Sequence, residues 1–397
     1  MGVAGAAAIV LLAVAAFSAR VFIDGDTNWH VASGRWILEH HTVPLTDPFS
    51  FTFAGKPWIA HEWGSEVLMA LAYLAGGWSG VVLLIGAAGG AAYAMIAREL
   101  RLWMGPAGQI IGLGLSFACL QPFLFARPHI LAAPLLVFWT SRLLAARRAG
   151  KAPPLELALL ITLFLGLWRG VRVPPFRLVL LVALVHMALQ HVRQEAILAV
   201  LAPVLLAEPF GRAMNPVRPG PRVVAPVGWT PAWRVPSVLV ASVLAAGAVA
   251  VVVARLAIPL VRTDNGNVPV TALAHVPPQL LGQPVFNEYA FGGYLIFKGV
   301  KPYIDGRADM YGDGWVQQYL AVAGGAQPAV DDAFKRWNIR WTILSPREPL
   351  VHMLDTRPGW RRIYADAFAV VHARADAVNP FPPPTSPSPP SPPKGAR

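Results

Sequence analysis

Charge is scarce in this chain. Only 14% of its 397 residues are Asp, Glu, Lys or Arg, whereas soluble domains carry about 25%. The shortage is uneven: residues 1–260 hold long apolar runs broken by short basic patches, while residues 261–376 have ordinary soluble composition. Cysteine is almost absent. The single Cys119 lies inside an apolar run, which excludes an intrachain disulfide and a cysteine metal site. No internal repeat is visible, and the polar residues do not gather at mid-span, which argues against a transporter built from repeated halves. The first apolar stretch, from Val3 to Phe17, has no basic segment before it, so it reads as a retained helix rather than a cleaved leader. The net charge of +12 does not point to nucleic acid, because much of the excess sits in short loops beside apolar runs.

What the chain has is apolar length. Windows near 3–19, 79–97, 107–126, 129–146, 177–207 and 236–260 approach or exceed the roughly 20 residues that cross a bilayer. The stretch 64–75 is shorter and ends at Gly76-Gly77, so it reads as an interfacial helix leading into a span. Residues 155–168 are too short to cross comfortably. Residues 177–207 are too long for one crossing and carry His191, Arg193 and Glu195 in the middle, as two short helices meeting at a polar break would.

Basic residues set the orientation. Arg142, Arg147, Arg148 and Lys151 mark a cytoplasmic loop, as do Arg98 and Arg101. The loop 20–63 then lies outside, and its five acids against three basic residues fit that side. Arg212, Arg218, Arg222 and Arg234 place 208–235 in the cytoplasm, so the span 236–260 exports the C-terminal region. The stretch 169–177 conflicts with this count: Arg169, Arg172 and Arg177 look cytoplasmic, yet a crossing at 155–168 would put them outside.

The expected organisation is a transmembrane helical bundle over 1–260 with the outer loop 20–63, an extracytoplasmic α/β domain over 261–376, and a Pro-rich tail over 377–397 that cannot bury a core. In the α/β domain, strands are expected at 284–288, 301–306 and 339–345, with a hairpin over 360–366 and 368–374. Helices are expected at 289–297, 313–323, 328–337 and 349–354.

The outer loop concentrates the chemistry. Asp24, Asp26, His30, Asp47, His61 and Glu62 are interleaved with Trp29, Trp36, Trp58 and Trp63. Tryptophans alone would anchor an interfacial loop. Carboxylates and histidines together can also supply a general base, and they can hold a divalent cation to offset a lipid phosphate. Two weaker sites are FARPHI, with Arg127 and His129, and HVRQE, with Arg193. Either arginine could hold a phosphate by paired hydrogen bonds, or simply snorkel to the interface.

The stretch DGDTNWHVASGRWILEHHTVPLTDPFSFTFAGKPWIAHEW resembles the first outer loop of a family of bacterial polytopic membrane proteins. These are similar to the GT-C glycosyltransferases, including the dolichyl-phosphate-mannose protein mannosyltransferase-like group. The shared pattern runs through Asp24, Asp26, Thr27, Trp29, His30 and Gly34, then Pro44, Asp47, Pro48, Phe49 and Ser50, and on to Trp58, His61, Glu62 and Trp63. A second segment, FNEYAFGGYL followed by YIDGRADMYG, is similar to the same family. There the bland reading is structural: Asn287 caps a helix, Gly292 and Gly293 allow close packing, and Asp305-Gly306 turns the chain.

The resemblance implies a GT-C-like polytopic α-helical membrane bundle in a bacterial cytoplasmic membrane, followed by a small extracytoplasmic α/β domain. It implies transfer of a hexosyl or pentosyl group from a polyprenyl-phosphate donor to an outside acceptor. Asp26 would be the base or a metal ligand, with Asp24, Asp47 and Glu62 completing the catalytic set. His30, His61, Arg127, His129 and Arg193 would bind substrate. Membrane lipid and the lipid-linked sugar would be the partners, with no nucleic acid. Where the family carries W-x-N-x-H-G-G, this chain reads LWRGVRVPPFR, a departure that bears on activity. The rival is a non-catalytic membrane scaffold or envelope assembly protein whose C-terminal domain binds a partner.

Overall fold

A computed structural model describes residues 2–149 and 237–377, together with residues 200, 201 and 204. The expectations for 155–168, the break at 191–195 with Arg193, the loop 208–235, the altered 167–177 stretch and the tail beyond 377 lie outside these residues. Helices predominate, and one small sheet is present. The chain divides into two compact units: residues 1–21 with 75–260, and residues 22–74 with 261–397. The second boundary falls where the composition changes. The outer loop, however, joins the C-terminal region rather than the apolar bundle that precedes and follows it in the chain.

The first unit contains α1 (Gly2–Phe17), the second part of the long α3 (Trp63–Trp103), α4 (Pro106–Leu120), α5 (Pro128–Arg148) and α6 (Ser237–Ala257). Among the described residues, three helices are long and apolar enough to cross a membrane: Trp63–Trp103, Pro128–Ala146 and Val238–Ala257. Helix α3 breaks at Gly76 and Gly77, where Gly77 has φ 57° and ψ −147°, a conformation that only glycine adopts without strain. The part after the break, 78–103, is about 39 Å long at 1.5 Å per residue, enough for a crossing. Helix α4 stops at Leu120, short of the expected 126, where Pro122 enters a 3₁₀ turn at Gln121–Phe123. Small residues let α1 approach its neighbours. A Cβ on Gly90 would come within 2.7 Å of the Ala8 carbonyl, and one on Gly5 would collide with Leu244.

The second unit begins with α2 (Asp26–His40) and the first part of α3. It continues with the short helices α7 (Val270–Ala274) and α8 (Pro278–Leu281), strand β1 (Val285–Asn287) and α9 (Gly292–Phe297). Then come α10 (Ala308–Ala323), α11 (Gln327–Arg336), β2 (Trp341–Leu344), α12 (Pro349–Thr356), β3 (Trp360–Ala365) and β4 (Val370–Arg374). The sheet order is β1-β2-β4-β3, with β1 parallel to β2 and the other neighbours antiparallel. Both faces are covered, so the central strands carry buried apolar residues on both sides, beside the buried cross-strand pair Thr342 and His372. Val285, Trp341, Ile343 and Val371 pack on one side with Phe291 and Tyr294. Phe286, Leu344 and Val370 pack on the other with Tyr319, Phe334 and Leu354.

One expected strand is absent. Residues 301–306 form an irregular segment whose backbone is satisfied by side chains instead of a ladder. Asn287 Oδ1 accepts the Tyr303 N–H at 2.8 Å, and its Nδ2 donates to the Ile304 carbonyl at 2.8 Å. The Thr52 hydroxyl donates to the Tyr303 carbonyl at 2.7 Å. Asn287 therefore staples a loop to β1 rather than capping a helix.

Candidate functional site

The outer-loop segment 24–63 and the segment 286–312 meet in the second unit. Their junction is a buried arginine between two buried aspartates. Arg307 donates through Nη1 to Asp47 Oδ1 at 2.7 Å, through Nη2 to Asp305 Oδ2 at 2.7 Å, and through Nε to Asp305 Oδ1 at 2.8 Å. Its guanidinium lies over the rings of Trp58 and Phe49, 4.6 and 5.2 Å from their centroids. Tyr311 donates to Asp305 Oδ2 at 2.7 Å. The other acceptor sites of Asp47 are taken by the Phe49 and Ser50 N–H groups and the Ser50 hydroxyl. Burial alone would lower the Arg307 pKa. The charge and hydrogen bonds of Asp305, with Tyr311 and Asp47, outweigh it and shift the pKa upward. Burial, then Asp305, pushes the Tyr311 phenol well up. These groups form an internal lock. Asp47, expected among the catalytic carboxylates, sits in the protein interior with its oxygens engaged, where no acceptor hydroxyl can reach it.

A second polar cluster is built by helix packing. His30 and Ser33 share one face of α2, and Glu62, in the turn just before α3, stands four residues from Glu66 in the first turn of that helix. Gly34 brings the helices together: a Cβ there would lie 2.0 Å from the Glu66 carbonyl oxygen. His30 is buried, with its ring tilted against that of Trp29 at a centroid distance of 3.7 Å. Its Nδ1 is 3.2 Å from Glu66 Oε1, and its Nε2 is 3.8 Å from Glu62 Oε2. The Ser33 hydroxyl donates to Glu66 Oε2 at 2.7 Å. Glu66 is buried, whereas the Glu62 side chain is half exposed. One ligand atom from each of His30, Glu62 and Glu66 lies within 4.8 Å of the others.

Asp26 opens α2, one turn before His30 on the same face. It is half-buried, and its carboxylate rests against the Cα of Gly306, where a Cβ would strike Oδ1. Asp24 accepts the Asp26 N–H at 2.8 Å, shaping the turn into the helix. His61 is exposed and meets Asp309 at 3.1 Å. Arg127 and His129 belong to the first unit, near the start of α5, where His129 Nε2 lies 3.1 Å from the Phe123 carbonyl. The structure thus brings His30 and Glu62 together, adds Glu66 and Ser33, and separates Asp47 into the lock. Sequence reasoning misses Glu66, although its spacing from Glu62 is readable. A single Glu inside an apolar helix gives no sign of its partner until the helix that faces it is known.

No protein-family model, no curated protein and no solved structure matches this chain. The class that fold and composition define is a mainly helical protein with membrane-length apolar helices and a small mixed α/β sheet.

Proposed function

We propose that this chain is a membrane-anchored transferase that moves a sugar from a polyprenyl-phosphate donor to an acceptor outside the cytoplasm. The observation that carries the reading is the polar centre on α2 and α3: Asp26 stands one turn from a buried histidine flanked by Glu62 and Glu66. In the proposed step the Asp26 carboxylate takes the proton of the acceptor hydroxyl. The acceptor oxygen bonds to the anomeric carbon, the bond from that carbon to the phosphate oxygen breaks, and polyprenyl phosphate leaves. The second unit faces outward in this reading, as the basic loop 208–235 implies. The test is turnover of a polyprenyl-phosphate-linked sugar by the full chain in lipid vesicles. Asp26→Asn should cost about 100-fold or more, because an amide accepts no proton, while thermal unfolding stays unchanged. A variant as fast as wild type would exclude Asp26 as base.

One observation favours the non-catalytic scaffold. Asp47, Ser50, Asp305, Arg307 and Tyr311, all within the motif segments, are spent on the internal lock. A stably folded wild-type protein that turns over no lipid-linked sugar would favour that reading.

A further inference from the structure

We propose that His30, Glu62 and Glu66 form a binding site for a first-row divalent cation, Zn²⁺ or Mn²⁺. One imidazole and two carboxylates are the donor set such ions accept, and the imidazole disfavours Mg²⁺ and Ca²⁺, which take oxygen ligands. The ligand atoms already lie within 4.8 Å of one another. Ligands about 2.0–2.2 Å from a single ion sit within about 4.4 Å of each other; an ion between His30 Nδ1 and Glu66 Oε1, which are 3.2 Å apart, is completed when the half-exposed Glu62 swings its carboxylate from the Nε2 side of the ring to the Nδ1 side.

The surroundings are those of a held site. His30 is held by its tilted ring contact with Trp29 and by its place on α2. Ser33 occupies Glu66 Oε2 and leaves Oε1 turned toward His30, the outer-shell support that orients metal ligands. Charge argues the same way. With a neutral imidazole the three groups carry two negative charges, and one of them, on Glu66, is fully buried. A carboxylate buried without a counter-charge is costly, and a divalent cation balances both. Glu62 supplies the solvent-facing side by which an ion enters.

This inference adds a bound ion to the polar centre of the transferase reading, but its test does not depend on sugar transfer. The full chain in detergent, stripped with chelator, is titrated separately with Zn²⁺ and Mn²⁺ and followed by calorimetry and elemental analysis. One equivalent of at least one ion is expected per chain. His30→Ala should abolish binding, Glu62→Gln should weaken it tenfold or more, and Ser33→Ala should weaken it about tenfold. Glu62→Gln is decisive because its half-exposed side chain can change without disturbing the core, which circular dichroism checks. No bound equivalent in wild type, or a folded Glu62→Gln protein that binds as tightly as wild type, overturns the site.

Discussion

Helix α6 of the first unit and strand β2 of the second are both built largely from apolar residues, yet they use them oppositely. Along α6, Val238, Val243, Val249 and Val253 stand outward, and only 6% of its most apolar window is buried in the protein. Along β2, Trp341, Ile343 and Leu344 are wholly buried. Around its sheet the second unit obeys the rule for proteins in water, with apolar groups inside and charges outside or paired. The first exposes what water would penalise, as a helix surrounded by lipid does. The polar centre and the lock both lie in the second unit, which is organised by charge pairing and a covered sheet.

The sharpest way to break this contrast is to remove the charge pairing. Arg307→Ala leaves Asp47 and Asp305 buried without their counter-charge, and should cost about 3–5 kcal/mol. Near-ultraviolet circular dichroism should lose the signal of the aromatic residues around the lock. Arg307→Lys should not rescue it, because a lysine cannot reproduce the paired bonds to Asp305. An Arg307→Ala protein that melts like wild type would mean that the lock contributes nothing.

Val249→Lys tests the other side. If α6 faces lipid, a lysine near its middle should cost about 2.5–3.5 kcal/mol of insertion, seen as a lower membrane-integrated fraction after alkaline extraction. If α6 faces water, the change should be neutral and solubility should rise.

A smaller effect concerns pH. Burial, with Glu348 nearby, raises the Glu288 pKa from 4.5 to about 7. Between these values the folded chain keeps a proton that the unfolded chain releases, so stability falls as pH rises from about 4.5 to 7. After allowance for partial solvent screening the loss is on the order of 2 kcal/mol. Glu288→Gln should flatten that dependence in thermal unfolding measured at pH 5 and pH 8. An unchanged slope would assign the dependence to other groups.

Much of the architecture can be read from local pattern. The apolar windows at 3–19, 129–146 and 236–260, the break at Gly76-Gly77, the helices at 313–323 and 328–337 and the hairpin after 360 all fall within a few residues of the elements found, while the window 177–207 lies outside the described residues except for 200, 201 and 204. These depend on side-chain periodicity and on backbone limits that act over one or two turns. The segment 301–306 looks like a strand because its residues suit one. Its backbone is instead taken up by Asn287 and Thr52, and no local rule announces that.

The site is half legible for the same reason. Sequence alone determined that carboxylates and histidines crowd residues 24–62, and that the chain has helices of membrane-crossing length and apolarity, because composition and spacing are properties of neighbours in the chain. Only the tertiary structure decided which of them stand together. Asp47 pairs with Arg307 across 260 positions, and His30 meets Glu66 across 36. A buried charge is settled by whichever partner the fold delivers to it, and that partner is chosen by packing in three dimensions rather than by distance along the chain.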